Sequence, residues 1–444
     1  MKTPIVDFVK NYNNKNSIRL HMPGHKGRSF LGIENSDITE IDGADVLYSA
    51  DGIIEESENN ASSLFGTRHT FYSTEGSSLA IRAMIFLACQ NEENPLILAA
   101  RNVHKAFIYA AALCDCEVNW IYPQKQSHIC ACEITAEDVK KALQNSLRKP
   151  SAVYVTSPDY LGNILDIKSI SEVCAEYDIP LLADNAHGAY LGFLSENQHP
   201  IKLGASMCCD SAHKTLPVLT GGAYLHISEN APQHFYTNAR SALSLFASTS
   251  PSYLILQSLD LCNAYLADSY KENLTETIGK VDSLKNFLRE KGFKLSGKEK
   301  LKIAIEAPSF GYCGNEIYDI LKDNNIFCEF CDRDYLVMMF TPENSAEDFE
   351  RIRKAFADIK QKTAPERTIP QLTEKKTGTV SIRKAVFSPS ETIDTEKAVG
   401  RICASPTVSC PPAVPVAVSG EVITEETVQI LKYYNINKIE VIKR

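Results

Sequence analysis

A lysine in an apolar setting and an aspartate earlier in the chain are the side chains best suited to chemistry. Lys214 stands beside His213 in "DSAHKTL", and Asp184 closes the apolar run "LLAD". Burial lowers the pKa of a lysine, and a neutral amine forms Schiff bases with carbonyl groups. A buried carboxylate needs a cation or a strong donor. Taken singly, Lys214 also reads as a side chain extending its charge into solvent, and Asp184 as a helix cap or turn residue.

Together these two residues match the needs of one cofactor, pyridoxal 5'-phosphate (PLP). PLP requires a lysine for its aldehyde and a carboxylate for its pyridinium nitrogen. It also requires a phosphate cradle, and Gly76, Ser77 and Ser78 open a helical pattern in "YSTEGSSLAIRAMI". A helix start without a ligand would look the same. His104 follows the apolar run "PLILAA" and could stack on the ring, or it could be a helix cap or a surface histidine.

Strand-like and helical patterns alternate through the middle of the chain, and these elements must position the candidate residues. Strand-like runs lie at 95–100, 117–122, 151–157, 179–186 and 222–227, with helical patterns at 77–90, 104–114, 135–147 and 166–178. Such alternation predicts an α/β fold with a mostly parallel central sheet covered by helices on both faces. Ligands bind at the carboxyl ends of the strands in such sheets.

The pattern changes after about residue 270, which indicates a separate and smaller unit. The predicted domains are an N-terminal arm (1–60), a large PLP-binding domain (61–270), a small α+β domain (271–360), a linker or surface loop (361–379) and a C-terminal segment (380–444).

The composition favours small-molecule chemistry. The 444 residues are 44% hydrophobic and 23% charged, as in an ordinary globular protein. The net charge of −9 argues against a nucleic-acid or anionic-membrane surface. The N-terminus shows no signal-peptide pattern, and no run approaches the roughly 18 apolar residues of a membrane span. A cytoplasmic protein is expected.

The cysteines give no metal-site pattern. The 14 cysteines are scattered through apolar segments, which favours buried, reduced thiols. Three closely spaced pairs are Cys114/Cys116, Cys130/Cys132 and Cys328/Cys331. A zinc site would need a second pair or histidines at matching spacing. We therefore predict no metal.

Seven motifs occur in the order seen in the Orn/Lys/Arg decarboxylases, and the chain resembles that family from about residue 20 onward. The motifs are "HMPGHKGR", "YSTEGSS", "ARNVHKAF", "ADNAHGAY", "DSAHKTL", "STSPSYLILQSLD" and "GRICASPTVSCPPAVPVAVSGEVIT". The resemblance implies the PLP-dependent transferase fold of aspartate aminotransferase. It also suggests the short form of the family, without the N-terminal regulatory domain.

The resemblance assigns roles residue by residue. Lys214 corresponds to the Schiff-base lysine, Asp184 to the aspartate at the pyridine nitrogen and His104 to the ring-stacking histidine. The other positions matching cofactor contacts are Gly76, Ser77, Ser78, Ser211 and His213 at the phosphate, Ala186 and His187 at the ring, and Thr249 and Ser250 in "STSPSY". In this fold the last motif completes the phosphate site of a neighbouring subunit, which implies a homodimer with a shared active site.

The implied reaction is decarboxylation of arginine, lysine or ornithine to a polyamine or its precursor. Either His213 or the released Lys214 would return a proton to Cα, and the sequence leaves both open. Asp159 and Glu421 are candidates for reading the distal charge of the substrate, each with an ordinary surface alternative.

The chain departs from the family pattern at several positions near the substrate end of the site. Ile382 and Lys384 stand at usual proline and glutamate positions, Cys410 and Ala413 replace an aromatic residue and a glycine, and "LYSADG" at 47–52 replaces a histidine-containing motif. Substrate identity is therefore less constrained than cofactor binding.

These departures keep two alternatives open. One is another PLP reaction on the same fold, either transamination or aldolase-type cleavage. An aminotransferase would need an arginine for the α-carboxylate, and Arg383 and Arg401 are the candidates in the last segment. The other is a catalytically silent PLP-binding regulatory homologue.

Overall fold

The computed structural model describes residues 1–123, 130–363, 378–406 and 415–444. Its α-helices are α1 (Pro4–Asn14), α2 (Ile53–Phe65), α3 (Gly76–Cys89), α4 (Lys105–Leu113), α5 (Ala136–Gln144), α6 (Ile167–Glu176), α7 (Ala212–Thr215), α8 (Gln233–Thr237), α9 (Ala239–Phe246), α10 (Tyr253–Ala267), α11 (Tyr270–Glu290), α12 (Gly314–Asp323), α13 (Ala346–Asp358), α14 (Ile382–Phe387) and α15 (Glu425–Tyr433). Its strands are β1 (His69–Ser73), β2 (Leu96–Ala100), β3 (Glu117–Ile121), β4 (Ala152–Thr156), β5 (Leu181–Asp184), β6 (Met207–Asp210), β7 (Ala223–Ile227), β8 (Leu295–Ser296), β9 (Lys302–Glu306), β10 (Phe330–Cys331), β11 (Tyr335–Met339), β12 (Ser390–Asp394) and β13 (Lys438–Ile442).

The largest sheet has the strand order β1-β7-β6-β5-β4-β2-β3. Strands β5 and β6 are parallel, with Asp184 opposite Cys209, whereas β7 runs antiparallel to both β6 and β1. Two parallel neighbours end at the same sheet edge, so the carboxyl ends of β5 and β6 lie side by side. The predicted α/β architecture, with a mostly parallel central sheet and a smaller α+β part, is confirmed.

Every strand-like run predicted in the middle of the chain forms a strand, and every helical pattern there forms a helix. Strands β1 and β6 were missed. Strand β1, with the sequence HTFYS, mixes polar and aromatic residues, and the apolar part of β6 is only the three residues before Asp210, so neither shows the apolar run that indicates a buried strand.

The chain divides into two compact units. Unit 1 comprises Met1–Ile97, Arg148–Val155 and Ile167–Lys271, and unit 2 comprises Leu98–Leu147, Thr156–Asp166 and Glu272–Arg444. The domain bounds expected from the sequence stay a prediction, and residues 364–377 of the expected linker lie outside the described residues.

Unit 1 contains the long apolar helix α3, which packs against β6 and β7. Its sequence contains several Ala and Leu residues, which favour helix, and most of its residues are buried. A helix that is apolar on most of its surface must lie inside the unit. This burial fixes the position of its first turn, which carries the "GSS" motif.

Unit 2 contains an antiparallel sheet of order β10-β11-β9-β8. Apolar side chains of β9, β11, α12 and α13 form one buried cluster with the C-terminal half of α11. The last part of unit 2 adds the antiparallel pair β12 and β13. These are the elements expected of a smaller α+β unit.

Candidate active site

The first turn of α3 has the geometry of an anion-binding site. Gly76 has φ +72, a conformation that favours glycine, and its N–H donates to the carbonyl of Gly221 at 2.7 Å. The N–H groups of Ser77 and Ser78 fall in the first turn, where the helix supplies no acceptor, and the cap residue Glu75 makes no side-chain cap. Free N–H groups at a helix N-terminus bind phosphate readily.

The predicted phosphate residues of unit 1 lie next to one another. The Ser211 hydroxyl donates to Oγ of Ser77 at 2.7 Å. A Cβ built on Gly76 would lie 4.0 Å from Cε1 of His213, so the start of α3 adjoins α7. The structure thus brings Gly76, Ser77, Ser211 and His213 together, although they come from two distant sequence motifs.

Lys214 lies on α7, half-buried, and its Nζ is 3.2 Å from Nε2 of His187. The neighbouring His213 is held by its own hydrogen bond, in which Nδ1–H donates to the carbonyl of Gly222 at 3.0 Å. Burial, aided by the Lys214 charge, lowers the pKa of His213 below its ordinary value of 6.5. His213 is therefore a neutral imidazole near pH 7, with its Nδ1 proton engaged by a carbonyl.

Asp184 ends β5 and is only 2% exposed. Its Oδ1 accepts the N–H of Ala186 at 3.1 Å, and its Oδ2 accepts the Tyr154 hydroxyl at 3.2 Å. Burial, and then the charge of Asp184, raises the pKa of Tyr154 well above its ordinary range, so the phenol remains a neutral donor. Within the described ranges no Lys, Arg or His pairs with Asp184. A buried carboxylate that has only neutral donors suits a cationic N–H partner.

Asp210 ends β6 and is fully buried. Its Oδ1 accepts Nδ2–H of Asn185 at 2.7 Å, and its Oδ2 accepts Nε2–H from His199 at 3.0 Å and from His226 at 3.1 Å. Burial alone would raise the pKa of Asp210, but its contacts with the two histidines outweigh burial and hold the pKa well below the ordinary value.

Sequence reasoning missed both Tyr154 and Asp210. Asp210 did carry a signal, because it ends an apolar run directly before "SAHK", as Asp184 ends "LLA". Tyr154 carried none, since an aromatic residue within a strand is ordinary core composition. The partners of Asp210 are far apart in the sequence and are recognisable only in the folded chain.

His104 belongs to unit 2, where it is the N-cap of α4. Its Nδ1 accepts the N–H of Ala106 at 3.1 Å. The helix-cap alternative is thus correct as local structure. The cap uses the edge of the imidazole rather than a face, so it is compatible with ring stacking, which stays a prediction.

Thr249 and Ser250 are exposed in unit 1. The N–H of Ser250 donates to Oγ of Ser248 at 3.2 Å, and the N–H of Ser248 donates to Oε1 of Glu75 at 2.7 Å. The motif therefore lies against the residue that precedes α3 in its own chain. Its expected role in a neighbouring subunit stays a prediction.

The two candidates for reading a distal substrate charge are both engaged within unit 2. Glu421 accepts both Nη groups of the buried Arg101, at 2.6 and 2.8 Å. Asp159 accepts the backbone N–H groups of Leu161 and Asn163 at 3.0 and 2.8 Å. Burial raises the pKa of Asp159 to about 6. Each carboxylate is already hydrogen-bonded to donors of its own unit, which argues against a role of either residue in contacting the substrate.

Other expectations concerned thiols, metals and membranes. The cysteines of the described chain are free thiols. In the same residues one group has the composition of a metal site, namely His199, Cys208 and Asp210, and it includes none of the cysteine pairs considered above. No helix in the described ranges combines the length and apolar character needed to cross a bilayer.

The residues of unit 1 fit PLP. The uncapped first turn of α3 with the Ser77 and Ser211 hydroxyls suits the phosphate, and the buried Asp184 carboxylate suits a pyridinium N–H. Lys214 supplies the amine for the aldehyde. Each required group is present, and each comes from the carboxyl end of a strand or the first turn of a helix.

Comparisons with known proteins agree with this site. The family model described as "Orn/Lys/Arg decarboxylase, major domain" matches residues 3–307, and the model of the C-terminal domain of that family matches 356–441. Arginine decarboxylase of Bacillus subtilis (strain 168) is 30% identical over 97% of this chain and 93% of its own length. Arginine decarboxylase of Bacillus anthracis is 28% identical over 97% of this chain and 92% of its own length.

Solved structures show the same fold. The lysine decarboxylase LdcF of Francisella novicida superposes with a TM-score of 0.81 at 17% identity, covering 99% of this chain and 81% of its own. Lysine decarboxylase A of Pseudomonas aeruginosa gives a TM-score of 0.81 at 16% identity, covering 99% of this chain and 80% of its own. At these identities the likeness concerns the fold alone.

Proposed function

Because this chain belongs to the Orn/Lys/Arg decarboxylase family, we propose that it releases the α-carboxyl group of arginine as CO2 and leaves the corresponding amine, a polyamine precursor. The choice of arginine is supported by the names of the two Bacillus relatives described above, both of which are arginine decarboxylases. Lysine and ornithine are the competing substrates. The observation that carries the proposal is the buried Asp184 carboxylate, held by neutral donors only, in the unit that also presents Lys214 and the serine cradle.

The chain is a PLP-dependent carboxy-lyase. PLP, when bound, supplies the electron sink that accepts the electron pair left at Cα when CO2 departs. We propose that Lys214 holds its aldehyde and that Asp184 keeps its ring nitrogen protonated. The N–H groups of Ser77 and Ser78, with the Ser211 hydroxyl, would hold its phosphate.

For the proton returned to Cα, we propose Nζ of Lys214 as the donor. His213 is a weaker candidate because its Nδ1–H is already donated to Gly222 and its pKa is lowered by burial. His187 Nε2 lies within hydrogen-bond distance of Lys214 and can exchange a proton with it. The test is His213→Gln, which should retain most of kcat. Loss of kcat by about a hundredfold or more would reassign the donor to His213.

The alternatives are less well supported. The two candidate arginines for binding a substrate carboxylate both make hydrogen bonds within unit 2. Arg383 donates to the carbonyls of Ala112 and Leu113. Arg401 donates to Glu391 at 2.6 Å. This argues against an aminotransferase. The family match favours an enzyme over a catalytically silent homologue. A silent homologue that binds PLP would keep Asp184 as well, so release of CO2 is the measurement that distinguishes the two.

We also propose a cytoplasmic homodimer that acts on a free amino acid and binds neither nucleic acid nor membrane. Support for the dimer comes from the N-terminal arm, whose large apolar side chains are strongly exposed. They are Ile18, Leu20, Met22, Phe30, Leu31 and Ile33. A contiguous set of this kind usually marks an interface, and a second copy is the partner that the family fold implies.

The experiment has two stages. Purified protein loaded with PLP should show the visible absorbance of lysine-bound cofactor, and Lys214→Ala should abolish it while the matched control Lys202→Ala, at an exposed position, retains it. CO2 release is then assayed in parallel from arginine, lysine and ornithine. Absence of the absorbance in wild-type protein would remove the assigned site, and release from lysine alone would correct the substrate.

A further inference from the structure

The buried carboxylate of Asp210 joins three strands at the edge that carries the proposed PLP residues. It binds Asn185 directly after β5, His226 on β7, and His199 in the connection between β5 and β6. All four side chains are completely buried. A carboxylate at such a position is unfavourable unless every oxygen is well paired, and here each oxygen accepts at least one charge-assisted hydrogen bond.

The Asn185 link is the part that reaches the cofactor residues. Asn185 lies between Asp184 and Ala186, and the Ala186 N–H donates to Oδ1 of Asp184. The backbone of Asn185 is fixed as well, since its N–H donates to Cys209 at 3.0 Å and its carbonyl accepts the N–H of Gly188 at 2.7 Å. A side chain at Gly188 would collide with that of Asn185. The Asn185 conformation thus determines where the Ala186 N–H points.

The other end of the link is equally close to the proposed site. Asp210 directly precedes Ser211, which donates to Ser77, and α7 follows with Lys214. One carboxylate therefore links the β5 end, which carries Asp184, to the β6 end, which leads to Lys214. Among the described residues, a weaker contact also joins these two strand ends, in which the Cys209 thiol lies 3.6 Å from Oδ1 of Asp184.

The same cluster does not offer a vacant set of metal ligands. His199 and His226 each use Nε2–H toward Asp210, and burial lowers the pKa of His226, so its Nδ1 accepts the Thr70 hydroxyl at 2.9 Å. The Cys208 thiol lies 3.5 Å from Oδ1 of Asp210 and is a weak donor. The Nε2 atoms of both histidines are thus engaged by Asp210, whereas Nδ1 of His199 and Oδ1 of Asn185 have no hydrogen-bond partner among the described residues.

We propose that Asp210, acting through Asn185, is a positioning residue that aims Asp184 at the ring nitrogen of PLP. This inference rests on the proposed role of Asp184. Asp210 does not touch the reacting atoms. Asp210 holds the Asn185 side chain, and the position of Asn185 sets the direction of the Ala186 N–H. That N–H donates to one oxygen of Asp184 and so orients the carboxylate.

The test compares Asp210→Asn and Asn185→Ala with wild type, each as PLP-loaded full-length protein. The second variant keeps the histidine pairing of Asp210 and removes only the link, so it remains informative if the first does not fold. The direct readout is 15N NMR of ring-labelled PLP in the protein. We expect the nitrogen signal to move from the protonated toward the unprotonated position in both variants, with kcat lowered about tenfold or more and KM nearly unchanged.

Two further variants separate the possible failures. Asp184→Asn should give the full shift of the ring signal, and if it gives none, the proposed role of Asp184 fails. Asp260→Asn is the matched control, because Asp260 is another buried carboxylate of unit 1 that accepts the N–H groups of Ile5 and Val6 at 3.0 and 3.1 Å. It should leave the ring signal unchanged.

A shift in Asp184→Asn without one in Asn185→Ala and Asp210→Asn would overturn the inference while leaving the proposed function intact. So would one equivalent of a bound metal ion, found by elemental analysis in wild type and lost in Asp210→Asn, because the cluster would then be a metal site.

Discussion

His187 Nε2 lies 3.2 Å from Nζ of Lys214, so the only lysine on α7 has an imidazole within hydrogen-bond distance. The imidazole is almost fully buried. A lysine must lose its proton before it can attack an aldehyde, and an adjacent imidazole is an effective acceptor near neutral pH.

We therefore predict that His187→Gln slows the covalent loading of PLP. Glutamine can accept the same hydrogen bond but cannot take the proton, so the rate of appearance of the visible absorbance after mixing apoprotein with PLP should fall about tenfold or more near pH 7. Stopped-flow absorbance measures the rate. His234→Gln, on α8 of the same unit, is the control and should load normally. An unchanged rate in His187→Gln would show that Lys214 loses its proton to another group.

The hydrogen bond between Ser211 and Ser77 predicts a phosphate-specific effect. Ser211→Ala removes one hydroxyl beside the first turn of α3, and we expect PLP to bind about fivefold more weakly, as one net hydrogen bond is worth about 1 kcal/mol. Pyridoxal, which lacks the phosphate, should bind wild type and variant equally. Equal weakening for both compounds would place Ser211 away from the phosphate. Equilibrium titration by fluorescence gives both affinities.

Glu421 should matter for stability rather than for substrate binding. Glu421→Gln leaves the buried Arg101 charge without its carboxylate, so we expect the free energy of unfolding to fall by about 3 kcal/mol with KM unchanged. The control is Glu396→Gln, which breaks an exposed pair with Lys432 in the same unit and should have little effect. Denaturant unfolding and steady-state kinetics provide the two measurements. A raised KM at unchanged stability would restore Glu421 as the substrate contact.

Asp159 predicts a particular pH dependence. Burial raises its pKa to about 6 from an ordinary 3.8, so the folded protein holds this proton more tightly than the unfolded chain does. The associated stabilisation is complete below about pH 4 and is lost as the pH rises through about 6, by at most about 3 kcal/mol. The side chain of Asp159→Asn does not titrate in this range, so the variant lacks this pH-dependent contribution to stability.

The test is the difference in unfolding free energy between wild type and Asp159→Asn, measured from pH 4 to pH 8. As the pH rises from 4 to about 6, the stability of wild type should fall relative to that of the variant, and above about pH 6 the difference should stay constant. A difference that stays constant over this range would contradict the raised pKa. Comparison of the two proteins cancels the contribution of Asp260, whose pKa burial also raises to about 6.

The exposed arm predicts the oligomeric state. Leu31 is 83% exposed, and replacing Leu20 and Leu31 together by Asp should weaken self-association at least tenfold, because charges would enter an apolar interface. Leu147→Asp, at a fully exposed position of unit 2, is the control. Light scattering over a concentration series gives the mass. A monomeric wild type, or a double variant that associates as wild type does, would remove the proposed interface.

The sequence by itself determined the fold class and the cofactor. Periodicity of 2 and 3.6 residues is local, so the strand at 181–184 and the helix at 76–89 could be read directly. Motif order supplied Lys214 and the "GSS" turn, because the residues that hold a cofactor keep their neighbours in the chain. The first turn of α3 and the strand-end position of Asp184 were therefore predictable.

Only the tertiary structure decided which groups meet. The contacts of Asp210 with Asn185, His199 and His226, of Tyr154 with Asp184, and of Glu421 with Arg101 join residues that are distant in sequence. No periodicity encodes such pairs, because side-chain hydrogen bonds depend on strand order and register rather than on spacing along the chain. For the same reason the sequence offered Asp159 and Glu421 as substrate contacts, whereas the fold uses both carboxylates to satisfy its own buried donors.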